Sequence, residues 1–216
     1  MTESQTSEQL IWYACYGSNM ALPRFLCYLQ GGRYPGNAKT YPGGRDKSPP
    51  QNRATGTINH PLYFAKEAHI WGGGGVCFIG NRESPDERTL VSLYLISVGQ
   101  FEDLHAQECN REVPIPLNLD LLRRQGFQIA YPEKWYGRIL YLGEKNGQPI
   151  LSFTNTSDLS EYRAPAPNYL QSLIRGLREG HDLSNQEILE YLQNKKGIEG
   201  AISAAELEAL IAKKPN

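Results

Sequence analysis

Apolar and polar positions alternate in short blocks along most of the chain and settle into a helical rhythm only near its end. After a polar start, Leu10 to Tyr16 is an aromatic-rich run of strand length that stops at Gly17-Ser18-Asn19. Residues 20–30 have helical spacing, with Pro23 tolerable only in the first turn. The pattern therefore predicts a strand, a tight loop and a helix capped by Ser18 or Asn19. Residues 31–56, rich in Gly and Pro, are predicted to be loop. Strands are predicted over 61–66 and 75–80, separated by Trp71 and its four following glycines. Thr89–Ile96 is apolar on both alternating faces, which predicts a strand deep in a sheet.

Ser97-Val-Gly-Gln100 has capping-box spacing and predicts a helix from there to about residue 109, stopped by Pro114 and Pro116. Further strands are predicted over 127–131, 136–142 and 148–154, the last two joined by a turn at Lys145-Asn146-Gly147. The C-terminal third reads as helical: Leu170, Leu173, Ile174 and Leu177 recur at i, i+3, i+4, i+7. Ser184 with Glu187 and Ser203 with Glu206 are capping boxes that each open a helix. Residues 1–9 are expected to be a disordered tail. At roughly 150 residues per domain, 216 residues favour one decorated domain over two.

Composition narrows the classes. Lys and Arg total 22 against 23 Asp and Glu, so the footprint of a general nucleic-acid binder is missing. No window approaches the ~18 uninterrupted apolar residues of a membrane span, and the acidic start is unlike a signal peptide. A cytoplasmic protein without membrane or nucleic-acid partners is the expectation. Cysteines at 15, 27, 77 and 109 form no C-x-x-C pair and are expected to be reduced, buried thiols. Charge is uneven, however: residues 21–55 hold Arg24, Arg33, Lys39, Arg45, Lys47 and Arg53 against the single acid Asp46.

The predicted helix over 97–109 puts Phe101, Leu104, His105 and Glu108 within an arc of about 100°. Glu108 thus falls in the apolar stripe, while Glu102 and Asp103 point the other way. A carboxylate in such a stripe is desolvated, and desolvation brings a carboxyl group toward proton transfer at neutral pH. The same placement suits a carboxylate paired with a buried arginine or capping a turn. The Tyr16-Gly17-Ser18-Asn19 turn offers consecutive backbone N–H groups that can hold an anion or an oxyanion, with Gly17 permitting close approach. An ordinary turn with a polar helix cap would have the same sequence. Glu102-x-x-His105 has metal-helix spacing, but no second such pair exists, so no metal is expected. Cys15 and Cys109 lack a histidine partner in the sequence and read as core thiols. The Trp71 glycine run lacks the Lys-Ser/Thr ending of a phosphate loop.

Four patches occur in one order: Tyr13-Ala-Cys-Tyr16-Gly17-Ser18-Asn19-Met20, Trp71-Gly-Gly before strands, Leu104-His-Ala-Gln-Glu108, and Pro167-Asn-Tyr169 opening a helix that contains Gly176. Together they resemble the γ-glutamylcyclotransferase-like family, in patches from about residue 11 to 195. The resemblance implies an α+β fold, a small mixed β-barrel with flanking helices, and a helical C-terminal extension. On that reading 10–180 is the catalytic domain and 181–216 the extension packed on it. The implied reaction releases an amine or amino acid from a small-molecule γ-glutamyl amide, forming 5-oxoproline without cofactor or metal. By the same resemblance Glu108 would carry the proton, the N–H groups of Gly17, Ser18 and Asn19 would hold a carboxylate or the oxyanion, and Tyr16 and Tyr169 would line the cavity. Arg33, Arg45 and Arg53 are expected either to border its mouth and select a further negative charge or to belong to a solvated loop. His105 and Cys109 stand where relatives often have an acidic residue and a glycine. The substrate reading therefore spans a small peptide, a γ-glutamyl amine and a γ-glutamyl-protected metabolite. The alternative is a catalytically inactive small-molecule or anion-binding protein on the same fold.

Overall fold

A computed structural model describes residues 9–213. The disordered tail expected over 1–9 lies, Gln9 apart, outside the described residues. In chain order the elements are β1 (Leu10–Cys15), α1 (Leu22–Gln30), β2 (Gly32–Arg33), β3 (Thr40–Tyr41), β4 (Asn52–Ile58), β5 (Leu62–Ala65), β6 (Val76–Ile79), β7 (Thr89–Ser97), α2 (Val98–Glu108), α3 (Leu119–Gln125), β8 (Phe127–Ile129), β9 (Arg138–Lys145), β10 (Gln148–Thr154), α4 (Pro167–His181), α5 (Asn185–Gln193) and α6 (Ala204–Ala212). Short 3-10 turns stand at Ser18–Met20 and His69–Trp71.

The fold is α+β. Six strands form one mixed sheet in the order β4-β7-β1-β10-β9-β8, and β2-β3 and β5-β6 are separate two-stranded ribbons. β1 lies antiparallel to β7 and parallel to β10. A strand with neighbours on both edges and layers on both faces must be apolar on both alternating sets of positions, which is the pattern that β1 and β7 carry. The β5-β6 ribbon docks on the end of β10: the Thr154 hydroxyl donates to the Ile79 carbonyl (2.6 Å) and accepts from its N–H (3.3 Å). Among the described residues no ladder joins the edge strands β4 and β8, so the sheet is open and side-chain bonds of this kind complete the wall.

All three capping boxes form, with Ser97–Gln100, Ser184–Glu187 and Ser203–Glu206 each bonding in both directions. The helical extension joins the common core: Ile188, Leu192, Leu207 and Ile211 are buried in the same cluster as the sheet. The turn between β9 and β10 has Asn146 and Gly147 at positive φ, as a two-residue hairpin requires.

Three expectations need correction. Ser18 and Asn19 do not cap α1. They are buried in the 3-10 turn, and α1 starts after Ala21 with Pro23 in its first turn and no side-chain cap. Part of the predicted loop over 31–56 is strand, chiefly β4, an edge strand whose residues are exposed or only partly buried and so carry no strong apolar alternation. α3 was not expected; seven residues are too few for a periodic signal, and its ends are set by the Asn118 cap and Gly126 in the left-handed region.

Candidate active site

The turn after β1 is held rigidly from behind. The Met20 N–H donates to the Gly17 carbonyl (3.0 Å) and the Ala21 N–H to that of Ser18 (3.4 Å). From β7 the Tyr94 hydroxyl bonds the carbonyls of Asn19 (3.2 Å) and Met20 (2.9 Å), and from α4 the Ser172 hydroxyl donates to the Ser18 carbonyl (3.1 Å). α4 can approach this closely because residue 176 is glycine: a Cβ there would lie 2.4 Å from Met20 Cβ and 2.7 Å from the Ala21 nitrogen. With its carbonyls bonded on that side, the turn leaves the N–H groups of Ser18 and Asn19 without an acceptor among the described residues. Gly17, Ser18 and Asn19 all line a cavity of about 370 Å³.

Glu108, the last residue of α2, enters the same cavity from the opposite element. Its Oε1 accepts from Asn19 Nδ2 at 2.8 Å, and that amide also reaches the Tyr13 hydroxyl at 3.3 Å. Asn19 Oδ1 is buried and has no partner. The sequence-predicted pair of turn and helix glutamate, 89 residues apart, is thus joined by a direct hydrogen bond. Glu108 is half-buried rather than enclosed in a stripe, and Asp103, expected to point outward, is buried and bonded to Arg45 (2.8 Å). α2 is packed on nearly all sides, so its wheel alone could not separate inside from outside.

Tyr16 and Tyr169 line the cavity. The Tyr16 hydroxyl donates to the Phe153 carbonyl (2.7 Å), and the Tyr169 hydroxyl accepts from the Cys77 N–H (3.0 Å). Gly17 has φ −118°, which any residue can adopt. Its glycine is required by closeness, because a Cβ would sit 2.8 Å from the Tyr169 hydroxyl and 3.3 Å from Cys77 Cβ.

Arg33, Arg45 and Arg53, expected either at the cavity mouth or on a solvated loop, are engaged as follows. Arg33 bonds the Asn37 carbonyl, Arg45 is spent on Asp103 and Glu102, and Arg53 lies over the Tyr94 ring on β4. None of them lines the cavity. Arg24, Tyr28, Lys39 and Tyr41 do, and were not singled out from sequence. The available signal was Arg24 and Tyr28 at i, i+4 on the apolar side of the predicted helix over 20–30.

Other nucleophile and metal readings find no geometry. Cys109 Sγ does come within 3.7 Å of His105 Nε2, a pairing the sequence did not reveal. That nitrogen also meets the Tyr136 carbonyl at 2.8 Å; a carbonyl only accepts, so Nε2 carries the proton and cannot take one from the thiol. Burial pushes the His105 imidazole down to about 4, and pushes the Cys77 and Cys109 thiols up to about 12. Glu102 accepts from the Leu117 N–H, away from His105. Among the described residues no group of three His, Cys, Asp or Glu side chains is placed to hold a metal ion, and no helix is long and apolar enough to cross a membrane.

No protein-family model matches the chain. It is 38% identical over 198 residues to a curated protein of Arabidopsis thaliana, Histone deacetylase 5, the match taking in 84% of this chain. The chain spans 30% of that protein's length. Among solved structures it is similar to an uncharacterised protein from Homo sapiens, with TM-score 0.50 and 15% identity over 95% of this chain and 100% of that one. It is also similar to a gamma-glutamyl cyclotransferase (TM-score 0.47, 14% identity, 96% and 90% covered) and to YkqA from Bacillus subtilis (TM-score 0.48, 17% identity, 88% and 56% covered). At 15% identity the likeness to the Homo sapiens protein is one of fold alone.

Proposed function

We propose that the chain is a γ-glutamylcyclotransferase-like enzyme that releases an amine or amino acid from a γ-glutamyl amide and forms 5-oxoproline. The observation that carries this reading is the Glu108 carboxylate, tied to Asn19 at 2.8 Å across a cavity whose other wall offers the unbonded N–H groups of Ser18 and Asn19. In the reaction, Glu108 takes a proton from the substrate's α-ammonium. The freed amine attacks the γ-carbonyl carbon, the new C–N bond closes a five-membered ring, and the old amide C–N bond breaks. Glu108 returns that proton to the departing nitrogen and then takes the surplus proton of the ring nitrogen, which passes to the released amine, so the products are the neutral lactam and an ammonium. The turn's N–H groups stabilise the oxyanion that develops between attack and departure. Attack within one molecule gains from effective molarity, so a single base and aligned donors suffice. The unpartnered Asn19 Oδ1 supplies an acceptor for the ammonium.

The test is a panel of γ-glutamyl amides with products read by mass spectrometry. The expected product is 5-oxoproline, with no cleavage when the α-amine is acetylated. Glutamate as product, or undiminished cleavage of the acetylated compound, would exclude cyclisation. Glu108→Gln keeps shape and the bond from Asn19 but loses the proton acceptor, and turnover is expected to fall ~10²–10⁴-fold with folding intact. Wild-type turnover in that variant would refute the base assignment.

A further inference from the structure

The reaction leaves one end of the cavity idle. Arg24 is 2% exposed, and its Nη2 donates to the hydroxyls of Tyr28 (2.9 Å) and Tyr41 (2.6 Å). The guanidinium lies 4.6 Å and 4.4 Å from those ring centroids and 5.5 Å from that of Trp71. Its Nε and Nη1 are buried without partners. Beside it, Lys39 Nζ bonds Asn110 Oδ1 (2.6 Å) and the Gln107 carbonyl (3.3 Å) and stands 5.1 Å from the Tyr41 centroid. Neither cation has an ion-pair partner among the described residues. Of the carboxylates lining the cavity, Glu67 pairs with Arg163 (2.9 Å) and Glu108 is bonded to Asn19.

Two cations, Arg24 and Lys39, thus share the single unpaired carboxylate of Glu108, and the cavity keeps a net positive charge without a ligand. A buried guanidinium normally faces an anion, because removing it from water is costly unless it is paired. Here the facing groups are two phenols that accept from it. An oxygen that accepts from a cation is a stronger donor through its own proton; the Tyr28 hydroxyl is directed to the Glu108 carboxylate, which leaves the Tyr41 hydroxyl as the donor free for a ligand.

We infer that this wall is a carboxylate-binding subsite: Lys39 Nζ and the Tyr41 hydroxyl receive a carboxylate of the ligand, and Arg24 behind them, bonded to Tyr28 and Tyr41, is the residue that positions that hydroxyl. The inference rests on the proposed reaction only for the identity of the ligand. A carboxylate on either half of a γ-glutamyl compound has the required chemistry. It also relocates the selection of negative charge from Arg33, Arg45 and Arg53 to groups that line the cavity.

Two matched pairs of probes, titrated calorimetrically into the wild-type protein and into Lys39→Met and Tyr41→Phe, test it. γ-Glutamylalanine and γ-glutamylethylamine differ only in a carboxylate on the departing half; 5-oxoproline and 2-pyrrolidinone differ only in the carboxylate on the glutamyl half. Both variants are expected to lose about tenfold or more in affinity for the carboxylate-bearing member of one pair, and about twofold or less for its partner. The pair that responds identifies which half is held. Equal effects on both members of both pairs, or no binding of any carboxylate to wild type, would overturn the subsite. Turnover followed in the same samples separates this result from the reaction. If 5-oxoproline forms and neither variant discriminates, the subsite fails alone. If carboxylate binding needs Lys39 and Tyr41 but nothing is turned over, the subsite stands and the cyclotransferase reading fails.

Discussion

Gly176 and Gly180 lie one helical turn apart on α4, and the same substitution at each should have unlike results. In a helix interior Gly→Ala gains roughly 1 kcal/mol of stability through backbone entropy. At Gly180 the added Cβ would meet Ser92 Oγ at 3.1 Å and Thr55 Cγ2 at 3.6 Å, side-chain atoms that can turn or shift by a few tenths of an ångström. The gain and the strain nearly cancel there, within about 0.5 kcal/mol. At Gly176 the Cβ would stand 2.4 Å from Met20 Cβ and 2.7 Å from both the Met20 carbonyl carbon and the Ala21 nitrogen. Those are backbone-fixed atoms of the turn that presents Ser18 and Asn19, so α4 or the turn must move. Overpacking of this kind costs about 1–3 kcal/mol. Net of the helix gain, Gly176→Ala should lose up to about 2 kcal/mol, a fall of up to about 8 °C in Tm for a chain of this size. The displaced turn should also weaken ligand binding, whereas Gly180→Ala should leave binding unchanged. Thermal melts followed by circular dichroism, with calorimetric titration of 5-oxoproline, measure both. A Gly176→Ala protein as stable and as tightly binding as Gly180→Ala would refute the claim that α4 contact fixes the turn.

In Gly17→Val the new Cβ would stand 2.8 Å from the Tyr169 hydroxyl and drive it off the buried Cys77 N–H, leaving that group unpaired at a cost of about 1–3 kcal/mol. Both Tm and ligand affinity should fall, and an unchanged Tm would mean that the turn has slack. His105 is buried and its folded pKa is about 4 against an ordinary 6.5, so folding favours the neutral ring. Stability from this residue is complete above pH 6.5 and is lost as pH falls from there toward 4, by about 3 kcal/mol in all. Urea midpoints at pH 7.5 and 4.5 should therefore converge in His105→Gln relative to wild type, and equal pH dependence in the two proteins would count against the assignment.

How much of this was legible depended on whether a residue's role is local. Capping boxes at Ser97, Ser184 and Ser203 could be read because both halves of each lie within four residues. β7 could be read because its double-sided burial leaves a continuous apolar run. β4 could not: an edge strand pairs on one side only, and Asn52–Ile58 is too exposed to carry an apolar signature. At the site, Gly17 and Glu108 stood out as a glycine at a strand end and a carboxylate among apolar neighbours. The bond between their elements passes through the Asn19 side chain, whose sequence context suggests a helix cap or a backbone N–H donor and no link to a glutamate 89 residues on.

The arginines illustrate that closeness in sequence is not closeness in space. The cluster between residues 21 and 55 is real in sequence, but its members separate in space: Arg45 meets a buried aspartate 58 residues on, and Arg53 projects from an edge strand. Only Arg24 and Lys39 turn inward, and they do so for unlike reasons. Arg24 is carried on the buried side of α1 beside Phe25 and Tyr28, where a cation is tolerated because three aromatic faces and two hydroxyls surround it. Lys39 arrives between two short ribbon strands and reaches the end of α2 near Glu108. Two cations set beside the single unpaired carboxylate of Glu108 leave the cavity with a net positive charge, which makes it selective for anionic ligands before any substrate contact is specified.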